Sequence, residues 1–281
     1  MLVAARAIQG AGAVSAAVTA LLADLTRDGV RTRAMAMIGL SIGLTFSVSL
    51  VVAPMIADII GVPGLFMLTG ILTVISIGVV AWMTPDPEVS KLHEDTQAQP
   101  SRMGEVLRDR QLLNLDFGIF ALHAAQMALF TALPFAMTQL GLEKIQHWKV
   151  YLPSTIAGLV IMIPLIIIGE TRNKLKQVFI LGIACIAAAQ IGLLFGMHSI
   201  WLITAYLIVY FIGFNVLEAS LPSMVSKIAP SDLKGTAMGV YNTMQSVGLF
   251  VGGASGGWLF QQYGFADVAP KIGRASCRER V

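Results

Sequence analysis

Apolar residues in this chain come in long unbroken runs. Eight of these, roughly 2–23, 34–57, 63–83, 113–137, 150–169, 177–197, 200–222 and 235–261, are long enough to cross a hydrocarbon core, which takes ~20 mostly apolar residues per helix. The runs are too long and too rich in Gly and Ala for membrane β-strands of ~10 residues. The polar stretches between them are unequal. Arg27, Arg31 and Arg33; Lys91, Arg102, Arg108 and Arg110; Arg172, Lys174 and Lys176; and Lys227 and Lys234 fall on one set of alternate loops. The opposite set holds only Lys144 and Lys149. Cytoplasmic loops carry the excess of Lys and Arg, so the first set is expected in the cytoplasm and the first run crosses from outside to inside. Met1 sits inside an apolar run with no signal peptide before it, so that first helix is expected to be incomplete.

The stretch 84–112 breaks the pattern. It opens Thr84-Pro85-Asp86-Pro87, is dense in charge, and contains Pro100-Ser101. It reads as a cytoplasmic linker with a short amphipathic piece near 103–112. A shift of 203 residues lays Ala34-Met35 on Ala237-Met238, Gly61 on Gly264, and the small pair Ala53-Pro54 on Gly256-Gly257. Both copies set a basic cytoplasmic loop before a Gly/Ser-rich helix. Parallel repeats on either side of a linker describe transporters built from two six-helix halves. On that registration the visible helices are the fourth to the eleventh of twelve. The expected organisation is residues 1–83 as the end of an N-terminal helix bundle, 84–112 as linker, 113–264 as a C-terminal bundle, and 265–271 as a truncated loop.

Composition agrees with lipid as the solvent: 56% of residues are hydrophobic and 12% charged, against about 25% charged in soluble proteins. The net charge of +3 comes from the end of the chain. Residues 272–281, Ile-Gly-Arg-Ala-Ser-Cys-Arg-Glu-Arg-Val, look like a translated sequencing adapter, and such segments are kept out of fold reasoning. Without residues 271–281, the 19 basic and 16 acidic residues lose four and one, leaving 15 of each. A nucleic-acid partner therefore has no basis in charge. Cys185 and Cys277 fit neither a disulfide framework nor metal-ligand spacing. There is no phosphate-cradling loop and no nucleophile with a base at readable spacing. The expectation is a non-enzyme with no cofactor and no metal.

Several polar residues lie where lipid would not tolerate them. Arg6 opens Arg6-Ala7-Ile8-Gln9-Gly10, and eighteen residues of helix, ~27 Å at 1.5 Å each, separate it from the interfacial Asp24. Intramembrane charge marks a cavity or a partner; the competing reading puts Arg6 among the outer headgroups. Gly39, Gly43 and Ser47 recur every four residues, followed by Ala53 and Pro54, and Gly248, Gly252 and Gly256 repeat that spacing more cleanly. Small residues so spaced let helix backbones approach closely. Asp116, His123 and Phe130 share a face at i, i+7 and i+14. Asp116 is near the cytoplasmic end, where water is expected to reach it, whereas His123 is deeper and can titrate near neutral pH. Phe211, Asn215, Glu218 and Pro222 form a stripe on a later helix. A carboxyl group that moves between wet and dry surroundings gains and loses its proton, which suits Glu218 to a proton carrier or, equally, to a structural hydrogen bond. Gln126, Phe130, Asn215, Asn242 and Gln245 are candidates to line a cavity or bond between helices.

The string from Arg6 to Gly10 resembles the fourth-helix RxxQG motif of drug/proton antiporters in the major facilitator superfamily. Gly39, Gly43, Ser47, Ala53 and Pro54 resemble an eroded form of the fifth-helix motif of the same group. The resemblance extends over about residues 1–265, through loop strings such as His147-Trp148-Lys149-Val150-Tyr151-Leu152 and Lys234-Gly235-Thr236-Ala237-Met238. It implies an all-α membrane fold, of which this chain is a fragment, and a monomer when full length. It further implies alternating access in a bacterial inner (plasma) membrane, with efflux of a small amphipathic compound against protons. The proton gradient would be the energy source. In that frame Arg6, His123 and Glu218 are the proton-coupling candidates, and Asp24 is a candidate latch toward a loop preceding Met1. Lipid, protons and a small molecule are the expected partners. The alternatives are a uniporter or symporter of the same fold, or a membrane sensor that binds without transporting.

Overall fold

A computed structural model describes residues 28–84, 100–172, 174–230, 233–259 and 261–262. The chain divides into two compact units, Met1–Thr96 and Gln97–Val281. Every described element is helical. The run 2–23 and the residues Arg6, Gln9, Gly10 and Asp24 lie outside the described residues.

In the first unit, α1 (Asp28–Met83) is helical throughout except at Gly61, with φ 72° and ψ 171°. That conformation is one a side chain rarely adopts. Pro63, two residues on, has no N–H to carry a helical ladder across the break. The runs 34–57 and 63–83 thus meet at a glycine without an intervening loop. Gly39, Gly43, Ser47, Ala53 and Pro54 all precede the break on α1, where Ala53 and Pro54 are half-buried. Beyond them the apolar side chains point outward: Ile59 is 82% and Trp82 88% exposed. Exposure of this kind suits lipid or neighbouring helices, not water.

The second unit begins with a 3₁₀ turn, Pro100–Arg102, and the short α2 (Met103–Val106). Arg102 holds Glu105 through two hydrogen bonds of 2.8 and 2.7 Å. Asp109 then caps α3 (Arg110–Gln139): its Oδ1 accepts from the backbone N–H of Gln111 at 2.7 Å and of Leu112 at 3.3 Å. The amphipathic piece expected near 103–112 is therefore shorter, since Arg110 already belongs to α3. Asp109→Ala is expected to cost about 1 kcal/mol, the usual worth of an N-cap, and Asp109→Asn much less. Denaturant unfolding of the purified protein, followed by helical circular dichroism, checks both.

α3 ends in a Schellman turn. Gly141, at φ 85°, donates to the Thr138 carbonyl, and Leu142 donates to that of Met137, both at 3.0 Å. The buried His147 ties the turn down, its Nε2 lying 3.2 Å from the Leu142 carbonyl oxygen. The remaining helices are α4 (Trp148–Thr171), α5 (Leu175–Gly196), α6 (Ile200–Ile228) and α7 (Lys234–Leu259). Five described segments are long and apolar enough to cross a membrane: Val51–Met83, Arg110–Gln139, Lys144–Gly169, Leu175–Gly196 and Ile200–Val225. Of the eight expected crossings, the run 2–23 lies outside the described residues, and these five segments are those of sufficient length and apolarity among the residues described. α7 is long enough but diluted by Asn242, Gln245, Ser246 and its many glycines.

α6 is the hub of this unit and touches α3, α4, α5 and α7. Glycines set the distances. A Cβ on Gly213 of α6 would lie 2.5 Å from the Gly182 carbonyl oxygen on α5, and one on Gly158 of α4 would lie 2.6 Å from Cβ of Phe211. The pairing of α3 with α7 is the most extensive contact. Gly248, Gly252 and Gly256 there face the backbone of Phe120, Ala124 and Ala128, one turn apart on each helix. Toward the α3 N-terminus, Val106 of α2, Leu112, Leu115 and Ile119 of α3, Leu221 and Val225 of α6, and Val240 and Tyr241 of α7 make one buried apolar cluster.

Candidate functional site

Close approach of α3, α6 and α7 carries polar side chains into the interior. His123 is buried on α3; its Nδ1 lies 3.2 Å from the carbonyl oxygen of Ile119, one turn earlier. A neutral imidazole carries one proton. With Nδ1–H donating to the backbone, Nε2 is the acceptor, and it meets the Gln245 side-chain amide of α7 at 2.8 Å. The same Gln245 nitrogen donates to Glu218 Oε1 on α6 at 3.4 Å. The second Glu218 oxygen, Oε2, is 3.8 Å from His123 Nε2. One amide thus stands between a base and an acid, each on a different helix.

Access differs between the two ends. The His123 side chain is 7% exposed and that of Glu218 39%, so Glu218 reaches open space while His123 does not. Beside them runs a chain of rings: His123 meets Phe214 edge-on at 5.7 Å, Phe214 stacks on Tyr210 at 6.0 Å, and Tyr210 meets Phe211 at 5.8 Å. Phe211 and Tyr151 both contact Phe130, at 6.3 and 5.5 Å.

Of the residues singled out in the sequence, His123, Glu218 and Gln245 come together. Phe130 belongs to the ring chain. Gln126 is buried one turn from His123, and Asn215 has a buried Nδ2 without a hydrogen-bond partner among the described residues. Asn242 is exposed and stands apart from this group. Asp116 departs from the solvated reading: it is 3% exposed, with Oδ2 buried and unpartnered among the described residues. Sequence reasoning passed over Tyr241, whose hydroxyl is likewise buried and unpartnered. The available signal was its position one turn before Gln245.

Residues 1–253 match the model of the Major Facilitator Superfamily. The chain belongs to that superfamily. Among relatives, it is 40% identical over 254 residues to the inner membrane transport protein YajR of Escherichia coli, covering 90% of this chain and 56% of YajR. An uncharacterized transporter of Buchnera aphidicola from Acyrthosiphon pisum, BU466, is 27% identical over 252 residues, 89% of this chain and 65% of that protein. The multidrug resistance protein MdtH of Cronobacter sakazakii is 25% identical over 194 residues, 68% of this chain and 46% of MdtH. The chain therefore spans little more than half the length of YajR. As a superfamily member with several apolar helices, it is a multi-pass membrane protein of a transporter family.

Proposed function

We propose that this chain is the fourth to eleventh helices of a proton-coupled exporter of small amphipathic compounds, acting by alternating access in a bacterial inner membrane. In this scheme residues 1–83 end the first helix bundle, 84–112 link the bundles, and 113–264 belong to the second. The full-length protein works as a monomer in lipid, with the proton gradient as its energy source. Arg6 joins His123 and Glu218 as a coupling group, Asp24 latches one access state, and the fifth-helix small residues let the first bundle close. The observation that carries the reading is the Gln245 amide held between His123 and Glu218.

The chemistry follows from the donor count. In the neutral triad, Nε2 of His123 has room for one hydrogen bond and Gln245 fills it. A proton arriving at Nε2 turns it into a donor. The Gln245 amide must then either turn its oxygen toward that N–H or give way to Glu218 Oε2, 3.8 Å from the same nitrogen. Proton loading thus reverses the α3–α7 bond or replaces it with an α3–α6 ion pair. A ligand shifts a conformational equilibrium only through such differential contacts. Glu218, with its outer side open, is the group that exchanges with substrate or water.

The test is a flux measurement on the full-length protein in proteoliposomes with an imposed pH gradient and ethidium as the amphipathic probe. Antiport predicts probe movement opposite to proton movement, with a fixed number of protons per probe. Symport reverses the relative direction, and uniport leaves internal pH unmoved. Binding without flux would make the protein a sensor.

A further inference from the structure

The elbow leading into α3 combines outward apolar side chains with unpaired positive charge. Only Leu107, Arg108 and Asp109 separate α2 from α3, and α3 is long and apolar enough to cross a membrane. α2 therefore sits where that crossing begins. Val106 pins it there, 2% exposed and packed in one cluster with Leu221 and Val225 of α6 and Ala237 of α7. Leu107 continues the helical turn, at φ −71° and ψ −7°. It shares a face with Met103, four residues earlier, and the two are 41% and 42% exposed. At a membrane boundary, apolar side chains turned outward are covered by the acyl edge of the lipid.

Charge decides which lipid. The acids of the elbow are both engaged within it. Glu105 receives two hydrogen bonds from Arg102, and the Asp109 carboxylate caps the α3 backbone. Arg108 and Arg110 are exposed and form no ion pair among the described residues. Lys227, exposed in the last turn of α6, and Lys234, the first residue of α7, bring positive charge to the same end of the bundle. Ala229 and Leu233, between those lysines, belong to the Val106 cluster. Such a surface complements a negatively charged headgroup region, where each nearby Lys or Arg gains roughly fivefold in affinity. A zwitterionic lipid offsets its phosphate with an ammonium group and attracts the arginines less.

We infer that residues 103–110 form a binding site for anionic phospholipid, with Met103 and Leu107 in the acyl edge and Arg108 and Arg110 at the headgroup phosphate. The phosphate accepts charge-assisted hydrogen bonds from the guanidinium groups, and Val106 holds the elbow in place to offer them. The site is separate from the His123–Gln245–Glu218 triad and holds whether or not transport is coupled to protons.

Fluorescence quenching of the full-length protein in lipid vesicles tests this. Leu107→Trp places an indole in the elbow, and its emission is read as the difference from the parent. The vesicles are phosphatidylcholine containing brominated phosphatidylglycerol or, at the same fraction, brominated phosphatidylcholine. The site predicts stronger quenching by the anionic lipid. That preference falls roughly fivefold with Arg108→Gln and again with Arg110→Gln, each made on the Leu107→Trp background. Arg108→Lys keeps the charge and keeps the preference. Arg172→Gln, exposed just beyond α4, leaves it unchanged. Equal quenching by the two lipids, or a preference that survives Arg108→Gln and Arg110→Gln, overturns the site. Absence of quenching by either lipid overturns it too, by showing that protein covers this face. The replaced side chains lie outside the buried cluster, so each variant is expected to keep the helical circular dichroism of the parent.

Discussion

Gly252→Ala is expected to destabilise the second unit by about 1–3 kcal/mol, the usual cost of forcing a methyl into a packed interior. Its neighbour Gly253→Ala should be neutral or stabilising by up to ~1 kcal/mol, the difference in helix propensity between the two residues. The opposite signs follow from position on one helix. The Cβ of residue 252 would run into the carbonyl oxygen and Cα of Ala124, backbone atoms that cannot rotate away. The Cβ of residue 253 meets nothing within 4 Å. A Cβ at Gly256 would lie 2.7 Å from the Ala128 Cα, so Gly256→Ala should resemble Gly252→Ala. Because α7 also delivers Tyr241 and Gln245, a wedge at Gly252 should pull the Gln245 amide from His123 and reduce transport beyond its effect on stability. Denaturant unfolding in detergent and flux on the surviving folded fraction separate the two effects.

Glu218→Gln is expected to reduce proton-driven transport by ~100-fold or more, within the range for removing a positioned proton-transfer group. The substitution keeps shape and hydrogen-bonding reach, so packing on α6 changes little. It removes the site where the proton would be held and the carboxylate that would pair with a protonated His123 across 3.8 Å. Gln245→Leu is a different lesion. It strips the 2.8 Å bond from His123 Nε2 and leaves both titrating groups in place, so it should shift the pH profile of transport while sparing the capacity for proton coupling.

The helical, apolar character of the runs was legible because hydrocarbon thickness acts on each segment alone. Helix boundaries were less so, since they depend on single atoms: the Asp109 carboxylate starts α3 before its apolar run, and Gly141 with His147 ends it. The break at Gly61 was expected as a gap between runs, but only backbone angles show that one residue makes it. For the candidate site, sequence period identified His123 and Glu218 as interior on their own helices. It could not show that Gln245 joins them, because the rotation of α7 about its axis is set by glycines meeting the Phe120, Ala124 and Ala128 backbone. Asp116 was misjudged for a related reason. Distance from a helix end says nothing about cover, and Val106 of α2 closes the cluster over that end of the bundle.

The central claim is that protons and substrate are coupled through Glu218, and one comparison tests it most directly. Full-length protein and its Glu218→Gln variant are reconstituted in proteoliposomes. Ethidium movement is followed in two modes: net transport driven by a pH gradient, and exchange of ethidium for ethidium at equal pH on both sides. The account predicts that the variant loses gradient-driven transport and keeps exchange, since exchange needs no net proton release. Gradient-driven transport that survives in Glu218→Gln at the parent rate would contradict it.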